Sequence, residues 1–175
     1  MRAFIAIEVE RFPEMKELEG FLRTLDKTTV VRTEKLHLTM FFLGNISQLA
    51  AEEICRKLSQ FEFHQTDLAI SGVGAFPNEL AANVLFLNVK ENESLRSAYN
   101  IIREMPSIKV LLRQKNHFVP HITVARFKSP RNARPMIERF AGVSSVQPVS
   151  SIKLFKSTLT DKGPVYEEVC RSRTS

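Results

Sequence analysis

Apolar positions along this chain follow two rhythms, a helical period near 3.6 and short apolar runs typical of buried strands, and the two take turns. Ala3 to Val9 is a mostly apolar run and predicts an opening strand covered on both faces. Pro13 suits the first turn of a helix, where its missing N–H would go unpaired anyway. Met15, Leu18, Leu22 and Leu25 then recur at helical spacing as far as Asp26. Val30 to Arg32 is short and extended. Lys35 to Leu43 is a second strand, broken by Gly44-Asn45. Ser47 is placed to cap a helix with Ala50, Ile54 and Leu58 on its inner face. Phe61 to Val73 reads as extended, with Gly72, Gly74 and Pro77 marking a turn, and Asn83 to Val89 as a further strand. Ser94 would cap a third helix carrying Leu95, Ala98, Tyr99 and Ile102, which Met105-Pro106 ends because a residue before proline is pushed out of the helical region. Phe118 to Arg126 is another strand, with Pro120, which cannot donate to a ladder, at its start or edge. Ser129 to Phe140 is basic, with a short helix after Pro135. Ser151 to Leu159 and Val165 to Val169 form a closing hairpin around Asp161-Lys162-Gly163-Pro164, and the tail from Arg171 is expected to fray.

Two of these strands carry the same polar signature. His37-Leu38-Thr39-Met40 and His121-Ile122-Thr123-Val124 both read His-x-Thr-x with apolar residues at x, in a chain with 4 histidines. In a strand, residues at i and i+2 share a face, so each stretch offers one imidazole and one hydroxyl on one side and buries its apolar residues on the other. One such strand falls in each helix-containing half, which points to a duplicated α+β unit. At 175 residues the chain has room for one domain, or two intimate lobes sharing a core.

Composition changes this picture only a little. With 43% hydrophobic and 25% charged residues the chain is of ordinary globular make-up. The net charge of +6 suits either a solvated basic surface or an anionic partner such as RNA, and charge alone does not choose. Cys55 and Cys170 show no metal-type spacing and are expected as free thiols in a reducing cytosol. The run from Met1 to Ile7 meets Glu8 too soon for a signal-peptide core or a membrane span, so a cytoplasmic protein is expected.

Two imidazoles and two hydroxyls facing one cleft suit displacement at phosphorus. One histidine deprotonates the nucleophile and the other protonates the leaving oxygen, each contributing roughly 10²–10⁴-fold. Threonine hydroxyls can donate to the non-bridging oxygens. The pattern requires no metal or other cofactor, since each strand offers one good ligand and no acidic cluster accompanies it. The residues do not say which histidine is acid and which base.

Beyond the motifs, the chain resembles the two-histidine (2H) phosphoesterase superfamily, and within it the LigT-like RNA 2′,3′-cyclic phosphodiesterases. The resemblance is carried by Arg2-Ala3-Phe4-Ile5-Ala6-Ile7, the extended blocks around His37 and His121, Gly72-Val73-Gly74-Ala75-Phe76-Pro77, Leu154-Phe155-Lys156-Ser157 and Gly163-Pro164-Val165-Tyr166. It implies an α+β fold in a single bilobal domain over residues 1–175, with two antiparallel sheets flanked by helices around a central cleft. It also implies metal-free hydrolysis of a terminal 2′,3′-cyclic phosphate to a 2′-phosphate, with His37 as proton donor, His121 as proton acceptor, and Thr39 and Thr123 holding the phosphate. The expected partners are RNA ends or nucleotides bearing that cyclic phosphate, met by a monomer away from membranes. Arg126 matches a substrate-binding arginine of the family, but strict alternation puts it opposite His121, so that role requires a bulge. Phe42 likewise alternates away from His37 and is assigned to the core. Lys115-Asn116-His117-Phe118 lacks the family's Arg-Pro, leaving Arg113 or Lys115 to supply a charge there. His64 reads as a surface or structural residue, and His117 as a neighbour of the site.

Competing readings keep the fold and change the chemistry: a nucleotide cyclic phosphodiesterase, a reversible 2′,5′ RNA ligase, or a nucleotide-binding module without turnover. Intact histidines and threonines argue against the pure binder, and a metal-dependent phosphatase lacks its carboxylates.

Overall fold

The computed structural model describes residues 1–26, 28–30, 36–112, 117–161 and 163–175. Arg32, Lys35, Arg113 and Lys115 lie outside the described residues. The element order is β1 (Arg2–Glu8), α1 (Met15–Arg23), β2 (Thr28–Val30), β3 (His37–Asn45), α2 (Gln48–Leu58), β4 (Glu62–Phe63), β5 (Thr66–Phe76) and β6 (Ala82–Val89). It continues with α3 (Glu93–Arg103), α4 (Pro106–Lys109), β7 (His121–Arg131), α5 (Arg134–Arg139), β8 (Ser144–Val149), β9 (Lys153–Thr160), β10 (Gly163–Arg171) and β11 (Arg173–Thr174).

Nine of the strands form one antiparallel sheet in the order β10-β9-β1-β3-β7-β6-β5-β8, with β2 added to β7. Where two sheets were expected, the ladder runs through. Yet its halves meet at one residue pair, Leu38 opposite Ile122 on β3 and β7. Both motif strands carry irregular register against their outer neighbours, and bulges increase local twist, which carries the two strands apart after that single pairing.

One face of the sheet is covered by helices. Ile5, Ile7, Leu38 and Ile122 are buried in one cluster with Leu18 and Leu22 of α1, Ile54 and Leu58 of α2, and Leu95 and Ile102 of α3. Helical spacing placed these residues correctly because each helix has one apolar stripe. Ser47 caps α2 by accepting from the Ala50 N–H at 3.1 Å. The cap of α3 is Asn92, not Ser94: its side chain accepts from the Leu95 N–H at 2.8 Å, starting the helix earlier than expected. Pro106 opens the short α4 after α3 has ended at Arg103. The second motif strand begins at His121, and Phe118 to Pro120 lead into it. Phe118 stacks on Tyr99 of α3 instead, with ring centroids 4.3 Å apart.

Two further expectations are corrected at the C-terminus. The tail is held, not frayed: β11 pairs in parallel with β4, and the buried Ser172 hydroxyl accepts from the Ile152 N–H at 3.0 Å. Cys55 and Cys170 are bonded as a disulfide, with Cα atoms 5.7 Å apart across a sequence separation of 115. Spacing carried no hint of this, because the two cysteines meet only when β10 comes back against α2. Long closed loops gain most from a crosslink, so reduction or Cys55→Ala should lower the unfolding free energy by about 2–4 kcal/mol. Urea denaturation with and without reductant measures this, and equal midpoints would contradict a bridge in the folded protein.

Candidate active site

The two motif strands bury their side chains in the same sequence of steps. On β3, Leu38, Met40, Phe41 and Leu43 are buried while His37 and Thr39 are half-buried. On β7, Ile122, Val124, Ala125 and Phe127 are buried while His121 and Thr123 are half-buried. Two consecutive buried residues break the alternation in each. Register shows why: Ala6 pairs with Thr39 and Ile5 with Phe41, skipping Met40. Phe86 pairs with Thr123 and Leu85 with Ala125, skipping Val124. Each bulge returns the next even-numbered residue, Phe42 or Arg126, to the motif face. Arg126 therefore shares a cavity with His37, Thr39 and Thr123. So does Phe42, which is 66% exposed and does not belong to the core.

An antiparallel pairing centred on Leu38 and Ile122 sets His37 beside Thr123 and Thr39 beside His121. The two histidines are then diagonal neighbours, a relation that separates side-chain roots by about 7–8 Å on adjacent strands. A cavity of about 450 Å³ is lined by His37, Thr39 and Thr123 but not by His121, and a neighbouring one of about 220 Å³ reaches from His37 to Glu8 and Tyr166.

Each imidazole is braced by aromatic rings. His121 meets Phe76 edge-on at 5.0 Å and Phe86 at 5.3 Å. His37 lies 5.0 Å from Phe4 and 5.3 Å from Tyr166, centroid to centroid. The Nδ1 atom of His121 is 2.8 Å from the Val119 carbonyl. A carbonyl only accepts, so Nδ1 carries the proton and Nε2 of the neutral ring is left as the base. Phe4, Ala6 and Phe155 form a small apolar cluster on this face with Tyr166 against it. Burial pushes the Tyr166 phenol above its usual range, although the Arg126 and Arg2 charges pull the other way, so it stays a neutral O–H donor at neutral pH.

Beside His37 the cleft is charged. Glu8 on β1 is the register partner of His37. Its carboxylate pairs with Lys153, which also reaches Glu168 at 3.0 Å. Burial alone would raise the Glu168 carboxyl, but hydrogen bonds from Arg171 and Lys153 outweigh it and hold the group below the usual range.

The remaining candidates fall elsewhere. His64 is exposed and its Nδ1 meets the Ser175 hydroxyl. His117 is exposed and lines neither cleft cavity. In the basic segment, Arg131 donates to the Asp26 carbonyl at 2.8 Å, Arg134 pairs with Glu79, and Arg139 lies over Phe21 at 4.7 Å. These arginines are engaged in holding loops together. Among the described residues no group of three or more His, Cys, Asp or Glu side chains could hold a metal ion. Nor, among the described residues, is any helix long and apolar enough to cross a membrane.

The family model for LigT-like phosphoesterases matches residues 11–86 and again 89–166. The chain belongs to the LigT-like phosphoesterase family. An Archaeoglobus fulgidus protein named RNA 2′,3′-cyclic phosphodiesterase is 30% identical over 97% of this chain and 98% of its own length. A Thermotoga maritima protein of the same name is 32% identical over 95% and 92%. A Thermus thermophilus crystal structure superposes with a TM-score of 0.75 at 27% identity, covering 98% of this chain and 97% of that one. E. coli LigT complexed with 3′-AMP gives 0.76 at 18% identity, covering 99% and 98%, a likeness of fold.

In this LigT-like chain, sequence reading named the histidines and threonines and missed Phe42, Tyr166 and the Val119 carbonyl. The signal for Phe42 was present in the paired apolar residues Met40-Phe41 and Val124-Ala125, which no regular alternation produces.

Two predictions follow from the packing. A Cβ at Gly74 would lie 2.6 Å from two ring carbons of Phe86, the ring that supports His121. Gly74→Ala should cost about 1–3 kcal/mol in urea unfolding and lower kcat more than it raises KM; unchanged kcat would separate Phe86 from His121. Since the Glu168 carboxyl is held low, its stabilisation is complete above the ordinary carboxylate range and is lost as pH falls through the lowered value. Glu168→Gln should therefore flatten the acid limb of stability against pH, measured by denaturation from neutral to acid pH.

Proposed function

We propose that this chain is an RNA 2′,3′-cyclic phosphodiesterase, hydrolysing a terminal cyclic phosphate to a 2′-phosphate without a metal. The observation that carries the reading is the diagonal placement of two braced imidazoles with a threonine hydroxyl beside each. Relatives bearing that activity's name support it over nearly the whole chain.

In the mechanism, Thr39 and Thr123 donate hydrogen bonds to the non-bridging phosphate oxygens and hold the ring between the histidines. His121 takes a proton from water at Nε2. The water oxygen attacks phosphorus, the bond to the 3′ oxygen breaks, and His37 protonates that oxygen as it leaves. The phosphate remains on the 2′ oxygen. The Val119 carbonyl supports this division, since it keeps the proton of His121 on Nδ1 and leaves Nε2 to accept. The Tyr166 hydroxyl and the Arg126 guanidinium supply further donors from the walls. Phe42, exposed beside them, offers a face for the terminal base.

The two halves are read as duplicated lobes of a single domain, since each carries one His-x-Thr strand with the same burial pattern and a bulge at the same place. A monomer acting on RNA inside the cell fits this reading, with the Cys55–Cys170 bridge the feature least usual for a reducing compartment.

Turnover of an oligoribonucleotide ending in 2′,3′-cyclic phosphate should survive excess EDTA, and the product should be a terminal 2′-phosphate. A 3′-phosphate product would reject the mechanism. His37→Ala and His121→Ala should each lower kcat by roughly 10²–10⁴ while leaving the far-UV CD spectrum intact. A fully active His121→Ala would remove the assigned base.

A further inference from the structure

The cleft continues past the four motif residues. Beyond Phe42 and Arg126 the same cavity reaches Arg2 on β1, and Leu159 and Pro164 at the tip of the β9–β10 hairpin. Leu159 and Pro164 are cross-strand partners and form one apolar step at the rim, with Leu159 68% exposed. The tip is firmly built. The Thr160 hydroxyl donates to the Gly163 carbonyl at 2.6 Å, and Gly163 takes a φ of 101°, a conformation glycine adopts without steric cost.

Charge separates the two ends of the cleft. Among the described residues neither Arg2 nor Arg126 is ion-paired with a carboxylate, and both guanidiniums act on the Tyr166 phenol between them. The other end, past His37, carries Glu8 and Glu168 around Lys153. An RNA strand leaving the motif residues is drawn towards Arg2 and away from the carboxylates. Arg2 stands four residues along β1 from Ala6, the partner of Thr39, which is about 13 Å at strand rise. That places it farther along the cleft than the threonines, in position for the next phosphate of a strand.

We propose that this outer half is a subsite for the nucleotide on the 5′ side of the cyclic end. Arg2 takes the phosphodiester that links it to the terminal nucleotide, and its base rests on the Leu159–Pro164 step, an apolar surface of the kind on which unstacked bases lie. The inference rests on the cyclic phosphodiesterase reading above and adds what makes the enzyme prefer an RNA chain to a free nucleotide.

The test compares kcat/KM on adenosine 2′,3′-cyclic monophosphate with that on a tetraribonucleotide ending in 2′,3′-cyclic phosphate. Wild type should favour the tetranucleotide. Arg2→Gln should reduce the ratio of the two values by about tenfold, the worth of one hydrogen bond to a charged group. It should also reduce the log–log salt slope for the tetranucleotide by about 0.7, one single-strand phosphate contact. Leu159→Asn, at an exposed site where folding is not at stake, should lower the same ratio without changing the salt slope. A wild-type ratio near one, or a ratio that neither substitution moves, overturns the subsite while leaving the cyclic phosphodiesterase reading standing. No turnover of either substrate overturns both.

Discussion

Everything chemical in this molecule depends on one place where backbone hydrogen bonding is irregular twice over. On β3 and on β7 a single extra residue, Met40 in one strand and Val124 in the other, interrupts the ladder just after the threonine. Without those bulges the side chains three positions beyond each threonine would point into the helix-covered core, where an unpaired arginine would cost far too much to bury. With them, each strand presents three residues in a row to the cleft: imidazole, hydroxyl and a larger group. The same local twist lets the two strands touch at Leu38 and Ile122 and then diverge, so one defect both furnishes the cleft and opens it.

The apolar layer under the sheet makes this irregularity tolerable. Ile5, Ile7, Leu38 and Ile122 are each at or below 1% exposure, locked against three helices. Close packing on that side fixes the backbone from which the site residues project. On the cleft side the aromatic rings of Phe4, Phe76, Phe86 and Tyr166 restrict the imidazoles, so ring orientation is largely set before any ligand arrives.

Legibility in the sequence divided along physical lines. Helices, core positions and the His-x-Thr strands were readable because each is encoded by spacing within a few residues. The disulfide, the parallel pairing of β11 with β4 and the strand at Ser144–Val149 were not, because they depend on segments that approach each other only in three dimensions. Asn92 displaced Ser94 as the α3 cap: either residue type can serve, but the Asn92 amide also donates to the Asp67 carbonyl of β5, a contact made only in three dimensions. Phe42 was misassigned by applying a period of two through a bulge, although the adjacent apolar pairs already contradicted that period. Arg126 was caught in the same conflict and resolved the same way.

Two identical halves would build a site with a two-fold axis, and such a site could not tell one side of a bound group from the other. Here the two motif strands have unlike neighbours at matching positions. Ala6 lies under Thr39 where Phe86 lies under Thr123, and the glycine at 74 that accommodates the larger ring corresponds to Lys153 in the other half. Both walls carry aromatic rings, but the one beside His37 also holds the charges of Glu8 and Lys153. An alanine on one side, and on the other a phenylalanine whose ring fills the space over a glycine, give the cleft two unlike ends.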